Sequence, residues 1–396
     1  MAWYSMSQKL IDHSPDLKLL RDEGYALKIN PGFLVLEQIP YVNNNKEIKY
    51  GTLVMGLNLA GNITIKPTDH TAWFAGEHPC DHIGKPITQI VNNSQNQVVG
   101  GIAINYYFSC CPTEPYKDYY EKVKTYETAL SGPAQHLESN VTARVYPVML
   151  PEEEDGSVFN YYDTASSRAG ISEVSAKLAV NRVAIVGVGG TGSYVLDLLA
   201  KTPVKEIHIF DGDKFLNHNA FRSPGAPAVE DLEKQMTKVD YFASQYSQMH
   251  RHIIPHPDFI TLENVALLQG MDFVFLCMDR GLDKRGIVDK LVEWGMAFID
   301  VGMSLYLVDN QLLGMLRVTA STNDKRDHIK KKIPFVNGNE NDDYAQNIQV
   351  ADLNALNAAL AVHKWKKLCG FYQDLERENH TTYDINVNQL NSQDQL

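Results

Sequence analysis

The sequence predicts an α/β protein, with a doubly wound, mostly parallel sheet preceded by a smaller α+β domain. Three observations carry that expectation. Apolar runs at 183–186, 207–210, 273–278 and 297–301 lack polar alternation, as strands covered on both faces do. Stretches of helical spacing near 191–201, 230–249, 263–269 and 283–294 lie between and after them, the alternation that builds a parallel sheet by crossovers. Residues before about 165 read differently, with short β-type runs separated by Asn- and Gly-rich turns. At 396 residues the chain is long enough for two cored domains.

In the first part, strands are expected at 33–39, 51–61 and 101–109. The segment 115–137 has helical spacing, and Pro133 after Gly132 marks its expected end. The phrase HTAWFAGEHPCDHIG (70–84) is the chemical candidate of this half. His78, Cys80 and His82 alternate, so on an extended strand they face one way and form a candidate zinc set, or Cys80 is a thiol activated by its histidines. A turn with buried polar partners is the plainer alternative.

In the second part, Gly187, Gly189, Gly190 and Gly192 follow a buried strand and open a helix, the context of a phosphate-binding glycine loop and a Rossmann-like fold. Asp211 ends the next strand, 24 positions after Gly187, where a carboxylate accepts ribose hydroxyls. NAD and ATP fit this much equally well. The cluster D-x-D-x(5)-N-x-x-R, that is Asp211, Asp213, Asn219 and Arg222, separates them, with Lys238 opening a later helical face and Asp279 ending the fourth strand. Hydride transfer does not need such cations around the phosphates, whereas nucleotidyl transfer must neutralise charge there and needs a carboxylate for magnesium.

After Gly302, residues 305–321 read as two strands joined by a tight Asp309-Asn310 turn. Residues 323–349 are charged and Asn-rich, so a long mobile loop is expected. A helix over 351–370, capped by Gly370, follows, and residues 376–396 are expected to be a disordered tail. The expected domains are therefore 1–165, 166–375 and that tail.

Composition narrows the class. With 36 basic and 48 acidic residues the formal charge is −12, which argues against bulk electrostatic binding of nucleic acid. No apolar run reaches the roughly 18 to 20 residues of a membrane span, and the start lacks a signal-peptide layout, so a cytoplasmic protein is expected. Five scattered cysteines without a CxxC support neither a disulfide framework nor a four-cysteine zinc site.

From about Arg168 to Gly370 the chain resembles the adenylating enzymes that include ThiF, MoeB and the ubiquitin-activating enzymes. VAIVGVGGTGS resembles their nucleotide loop, and FDGDKFLNHNAFR their D-x-D-x-V-x-x-S-N-L-x-R-Q segment. TKVDYFA matches the place of their lysine, CMDRGLDKR resembles A-x-D-N-x-x-x-R, and ALNAALAVHKWKKLCG resembles their closing helix. The resemblance implies that the C-terminal carboxylate of a ubiquitin-like carrier protein with a C-terminal glycine attacks the α-phosphate of ATP, leaving an acyl-adenylate. Arg222 and Lys238 would contact phosphates, Asp211 the ribose and Asp279 magnesium, with Arg285 in support. It also implies a homodimer in which Arg168 reaches the partner subunit's ATP. A sulfur-carrier activating enzyme and a non-catalytic ATP sensor are the alternatives.

Members that pass the activated protein onward use a cysteine after the sheet, and here none lies between Cys277 and Cys369. Thr319, Ser321 and Thr322 stand in that region, so an oxyester on Ser321 is the expectation to test. The His-Pro-Cys phrase of the first part resembles ubiquitin-conjugating enzymes, but no activity is read from it: residues 1–165 are expected to be a recognition or dimerisation domain, and a ubiquitin-conjugating-like enzyme is a further expected partner.

Overall fold

The computed structural model describes residues 7–150, 156–278, 283–335 and 348–395. The chain divides into two compact units, Met1–Gly156 and Ser157–Leu396.

The first unit opens with α1 (Ser7–His13) and α2 (Pro15–Asp22), the latter started by a proline whose missing N–H costs nothing in a first turn. Strands β1 (Ala26–Asn30), β2 (Phe33–Val42), β3 (Ile48–Gly56), β4 (Leu59–Ala60), β5 (Ile63–Thr64), β6 (Thr71–Ala75), β7 (Val91–Val99) and β8 (Ile102–Ser109) follow, then the helix α3 (Tyr119–Leu137). Six of these strands form an antiparallel sheet in the order β1-β2-β3-β6-β8-β7, while β4 and β5 pair separately. One sheet face, with Leu34, Leu36, Leu53 and Phe74, packs in a core with Leu17, Val123 and Tyr126 of the helices. Alternation along β2 sends Val35 to a smaller cluster with Val54 and Ile104. Pro133 does not end its helix as expected. It lies inside α3, which runs on to Leu137 with Ala134 fully buried beyond it. The proline removes one backbone donor, and the packed last turn outweighs that loss.

The second unit begins with α4 (Thr164–Ala169) and α5 (Ser172–Ala176) and enters its sheet at β9 (Arg182–Val186). Then come α6 (Gly190–Leu199), β10 (Glu206–Phe210), α7 (Asn217–Ala220), α8 (Val229–Glu233), α9 (Lys238–Tyr246), β11 (Ile253–His256), β12 (Phe273–Leu276) and α10 (Lys284–Glu293). The chain closes with β13 (Phe298–Val308), β14 (Gln311–Ser321), α11 (Ile329–Lys332), α12 (Ala351–Leu368), β15 (His380–Asp384) and β16 (Gln389–Gln393). The sheet order is β11-β10-β9-β12-β13-β14-β15-β16. Its first five strands are parallel and the rest antiparallel. Alternate residues of β9 feed two cores, Val183 and Ile185 into one with α6, α9 and α12, Ala184 and Val186 into the other with α10. Helices on both faces make the parallel part doubly wound, as the sequence predicts.

Several expectations are corrected. Residues 230–249 are two helices, because Gln235 takes φ +46° and 236–237 run extended beside 214–215. Edge strand β11 was not foreseen, since Pro255 sits inside it, where an edge tolerates proline. The closing residues are an ordered hairpin, not a disordered tail. Their polar side chains are carried by a backbone ladder to β14 and by the buried His380. The Asp309-Asn310 turn has φ +49° and +59°, the conformation a two-residue hairpin loop requires. Within the expected mobile loop, α11 is ordered, while 336–347 lie outside the described residues. Among the described residues no helix is long and apolar enough to cross a membrane.

Candidate functional site

The glycine loop is fixed at both sides by backbone bonds: Gly187 N donates to Phe210 O at 2.8 Å, and Cys277 N to Val186 O at 2.8 Å. Gly187 has φ +89°, and a Cβ there would come within 2.9 Å of the Cys277 carbonyl. A Cβ on Gly192 would run into the Gly187 carbonyl oxygen, so α6 starts closer to the strand than any side chain allows. Gly189 is the N-cap and Gly190 the first residue of α6, leaving helix-start amides without a side-chain cap.

Asp211 directly follows β10 beside this loop and is buried. Its Oδ2 accepts from Val188 N and its Oδ1 from Asp213 N, each at 3.0 Å. One carboxylate therefore orders the loop and the segment after it. That segment pairs with the approach to α9: Phe215 N donates to Met236 O and Lys238 N to Asp213 O, both at 2.8 Å. The pairing brings the Lys238 ammonium, itself buried, to 2.6 Å from Asp213 Oδ2 and 3.3 Å from Asp211 Oδ1. The Asp213 side chain is 58% exposed, so the lysine has one partner that solvent or a ligand can displace.

Asn219 caps α7 through Oδ1, which accepts from Leu216 N at 2.9 Å. Among the described residues, its buried Nδ2 and the buried Nε of Arg222 have no hydrogen-bond partner. Buried donors left open cost on the order of 1–3 kcal/mol each. Both lie between β10 and α8, and an acceptor arriving from outside would satisfy them.

The remaining predicted residues fall elsewhere. Asp279 lies outside the described residues. A magnesium ion needs only one or two carboxylates when phosphates supply the rest, and the exposed Asp213 carboxylate beside Lys238 suits that arrangement. Arg285 stacks over Phe335 at 5.2 Å, whereas its neighbour Lys284 points inward to Asp300. Arg168 is exposed in the last turn of α4.

The zinc set is not assembled. Cys80 is fully buried with Sγ on the His78 carbonyl, His78 packs edge-on against Tyr106 at 5.0 Å, and His82 lies on His136 at 4.2 Å. Among the described residues no three His, Cys, Asp or Glu side chains could hold a metal. Burial also pushes the Cys80 thiol up, away from the reactive thiolate. The oxyester expectation gains no support: Ser321 is fully buried at the end of β14, and its Oγ accepts from Arg326, a cation that cannot take the hydroxyl proton. Burial raises the Cys277 thiol too, and that of Cys369 to about 11.

Sequence reasoning missed a buried charge cluster behind the site. Asp300, with no exposure, pairs with Lys284 at 2.6 Å and with Arg317 at 2.6 Å. Arg317 also donates to Thr319 Oγ1 at 2.8 Å, and that hydroxyl meets His380 Nδ1 at 3.0 Å. Lys284 Nζ donates to the Met278 carbonyl at 3.4 Å, at the end of the strand that precedes Asp279. The available signal was Asp300 itself, a charge inside an apolar strand, with Gly302 next to it making room for Arg317.

Comparison with known proteins bears on both units. A family model described as a domain of unknown function, DUF6791, matches residues 15–164. The ThiF family model matches residues 165–338. Ubiquitin-like modifier-activating enzyme 5 of Gallus gallus is 28% identical over 169 residues, covering 39% of this chain and 42% of that protein. The chain thus spans less than half the length of this curated relative. Among solved structures, E. coli MccB aligns at 19% identity and TM-score 0.46 over 56% of this chain and 64% of its own. PaaA aligns at 16% identity and TM-score 0.44 over 56% and 66%. Residues 165–338 are thus similar to the ThiF family.

Proposed function

We propose that the Ser157–Leu396 unit is an adenylyltransferase that joins AMP from ATP to the C-terminal carboxylate of a ubiquitin-like protein. The observation that carries this reading is a pair of buried donors, Asn219 Nδ2 and Arg222 Nε, with no partner among the described residues, in the segment that Asp211 ties to the glycine loop. The substrate class follows the name of the curated relative and the ThiF family match.

A carboxylate oxygen of the carrier attacks the α-phosphorus, the bond from that phosphorus to the β-bridging oxygen breaks, and pyrophosphate leaves with the electron pair. No proton moves in this step, so the protein's task is placement and charge neutralisation. Loop amides and Arg222 hold phosphate oxygens. Lys238 exchanges its exposed partner Asp213 for a phosphate oxygen while Asp211 keeps it aimed. Asp211 retains lone pairs for the ribose hydroxyls. Asp279 and Asp213 are the residues that would hold magnesium, which would supply further neutralising charge when bound. Arg168, exposed on α4, serves the nucleotide of a second copy in a homodimer.

Carrier-dependent exchange of radiolabelled pyrophosphate into ATP tests the proposal. Arg222→Ala and Lys238→Ala are each expected to lower exchange about 100-fold or more, the scale of a lost charge-stabilising contact. Mixing inactive Arg168→Ala and Lys238→Ala proteins should restore part of it. Absence of exchange with any ubiquitin-like protein ending in glycine would sink the reading.

A further inference from the structure

One asparagine outside every motif touches both halves of the phosphate site. Asn354 sits in the first turn of α12 and is 1% exposed. Its Oδ1 accepts from Thr191 Oγ1 at 3.0 Å, on the helix that the glycine loop opens, and its Nδ2 donates to the Arg222 carbonyl at 3.1 Å. A side chain on Gly190 would occupy the place of the Asn354 amide, so that glycine has a second use besides approach to phosphate. One turn on, Asn357 Nδ2 bonds the Gly302 carbonyl at 3.1 Å and anchors the same helix to β13.

We infer that Asn354 is a positioning residue: through the Arg222 backbone it holds the guanidinium, with its buried Nε, at a fixed distance from the glycine loop. An amide is the group this place requires, because it must accept from a hydroxyl and donate to a carbonyl at once. Ala removes both bonds. Asp keeps the acceptor and sets a carboxylate against the Arg222 carbonyl. The clasp adds to the link that Asp211 makes between the two loops, so its loss frees Arg222 while leaving the sheet intact. This inference deepens the adenylation reading, yet its first readout needs no nucleotide.

The test compares Asn354→Ala, Asn354→Asp and Thr191→Val with Asn357→Ala, in the full-length chain. The rate at which phenylglyoxal modifies Arg222 in nucleotide-free protein is read by peptide mass spectrometry. Asn354→Ala and Asn354→Asp are expected to raise it about fivefold, the worth of one lost hydrogen bond, with a smaller rise for Thr191→Val and none for Asn357→Ala. Equal rates in wild type and both Asn354 variants overturn the proposal. So does an equal rise in Asn357→Ala, which would mean general loosening of α12. The second readout is the dissociation constant for ATP. Asn354→Ala should weaken it about tenfold, and the same substitution on an Arg222→Ala background should change nothing further, because Asn354 acts through Arg222. A persistent effect on that background overturns the proposal. If wild type binds no ATP, the adenylation reading falls and the phenylglyoxal rates still decide the clasp.

Discussion

Asp300 is the shared acid of a buried ion-pair cluster in the second unit. It has no exposure, and it faces two cations, Lys284 and Arg317, each at 2.6 Å. Removing one member of a buried ion pair strands the charge it leaves behind, at a cost of about 3–5 kcal/mol. The three residues are not equivalent on that argument. Lys284→Met leaves Asp300 still neutralised by Arg317, so a loss of about 2–3 kcal/mol is expected from the buried-pair scale. Asp300→Asn strands two cations at once and should lose more, about 3–5 kcal/mol. Urea unfolding of the two variants checks the order. A larger loss for Lys284→Met would mean that its bond to the Met278 carbonyl, and not the ion pair, carries the stability.

At the scale of elements, the closing hairpin is the informative case. Strands β15 and β16 extend the sheet beyond β14, and His380 on β15 holds the Thr319 hydroxyl. Lys364 and Lys367 of α12 bond Asp374 and Glu378 on the way into it, at 3.0 and 2.9 Å. Deleting residues 376–396 therefore exposes the ladder edge of β14, leaves Thr319 without its acceptor and removes the Glu378 partner of Lys367. The truncated chain is expected to melt several degrees lower and to aggregate through the new edge. An unchanged melting curve would mean the hairpin is an ornament. The hairpin was illegible in the sequence because its strands are short and polar. What stabilises them is pairing to β14, a long-range ladder that no local pattern announces. The parallel strands were legible for the opposite reason: burial on both faces writes a continuous apolar run. The site divides in the same way. Asp211, Asp213, Asn219 and Arg222 are close in sequence and were visible as a cluster, and the structure joins Lys238 to them through an extended pairing. Asn354 lies 163 positions from Thr191, and nothing in a helix rich in Ala and Leu sets that asparagine apart.

For the whole molecule, acid is the condition that distinguishes the two units. The histidines whose imidazoles lie below their ordinary range, His250, His256, His328, His363 and His380, all belong to Ser157–Leu396. Burial is the first cause for each. For His380 the nearby cations Lys332 and Arg317 add to it, and its value falls to about 4. In the unfolded chain an imidazole takes its proton near 6.5, roughly. Between that value and the folded one the unfolded state binds more protons, so stability must fall as pH falls. The contribution of these groups is complete above about pH 6.5 and is lost on the way down to about 4 for His380. Because each unit has its own core, the loss should fall on the second unit. The expected outcome is a transition of that unit which moves to lower urea concentration from pH 7 to pH 5. His380→Gln, which keeps a polar group near Thr319 but cannot titrate, should start less stable at pH 7 and show a flatter slope by up to one proton. Parallel slopes in wild type and His380→Gln would show that His380 takes no part, and would shift the acid sensitivity to the other four imidazoles.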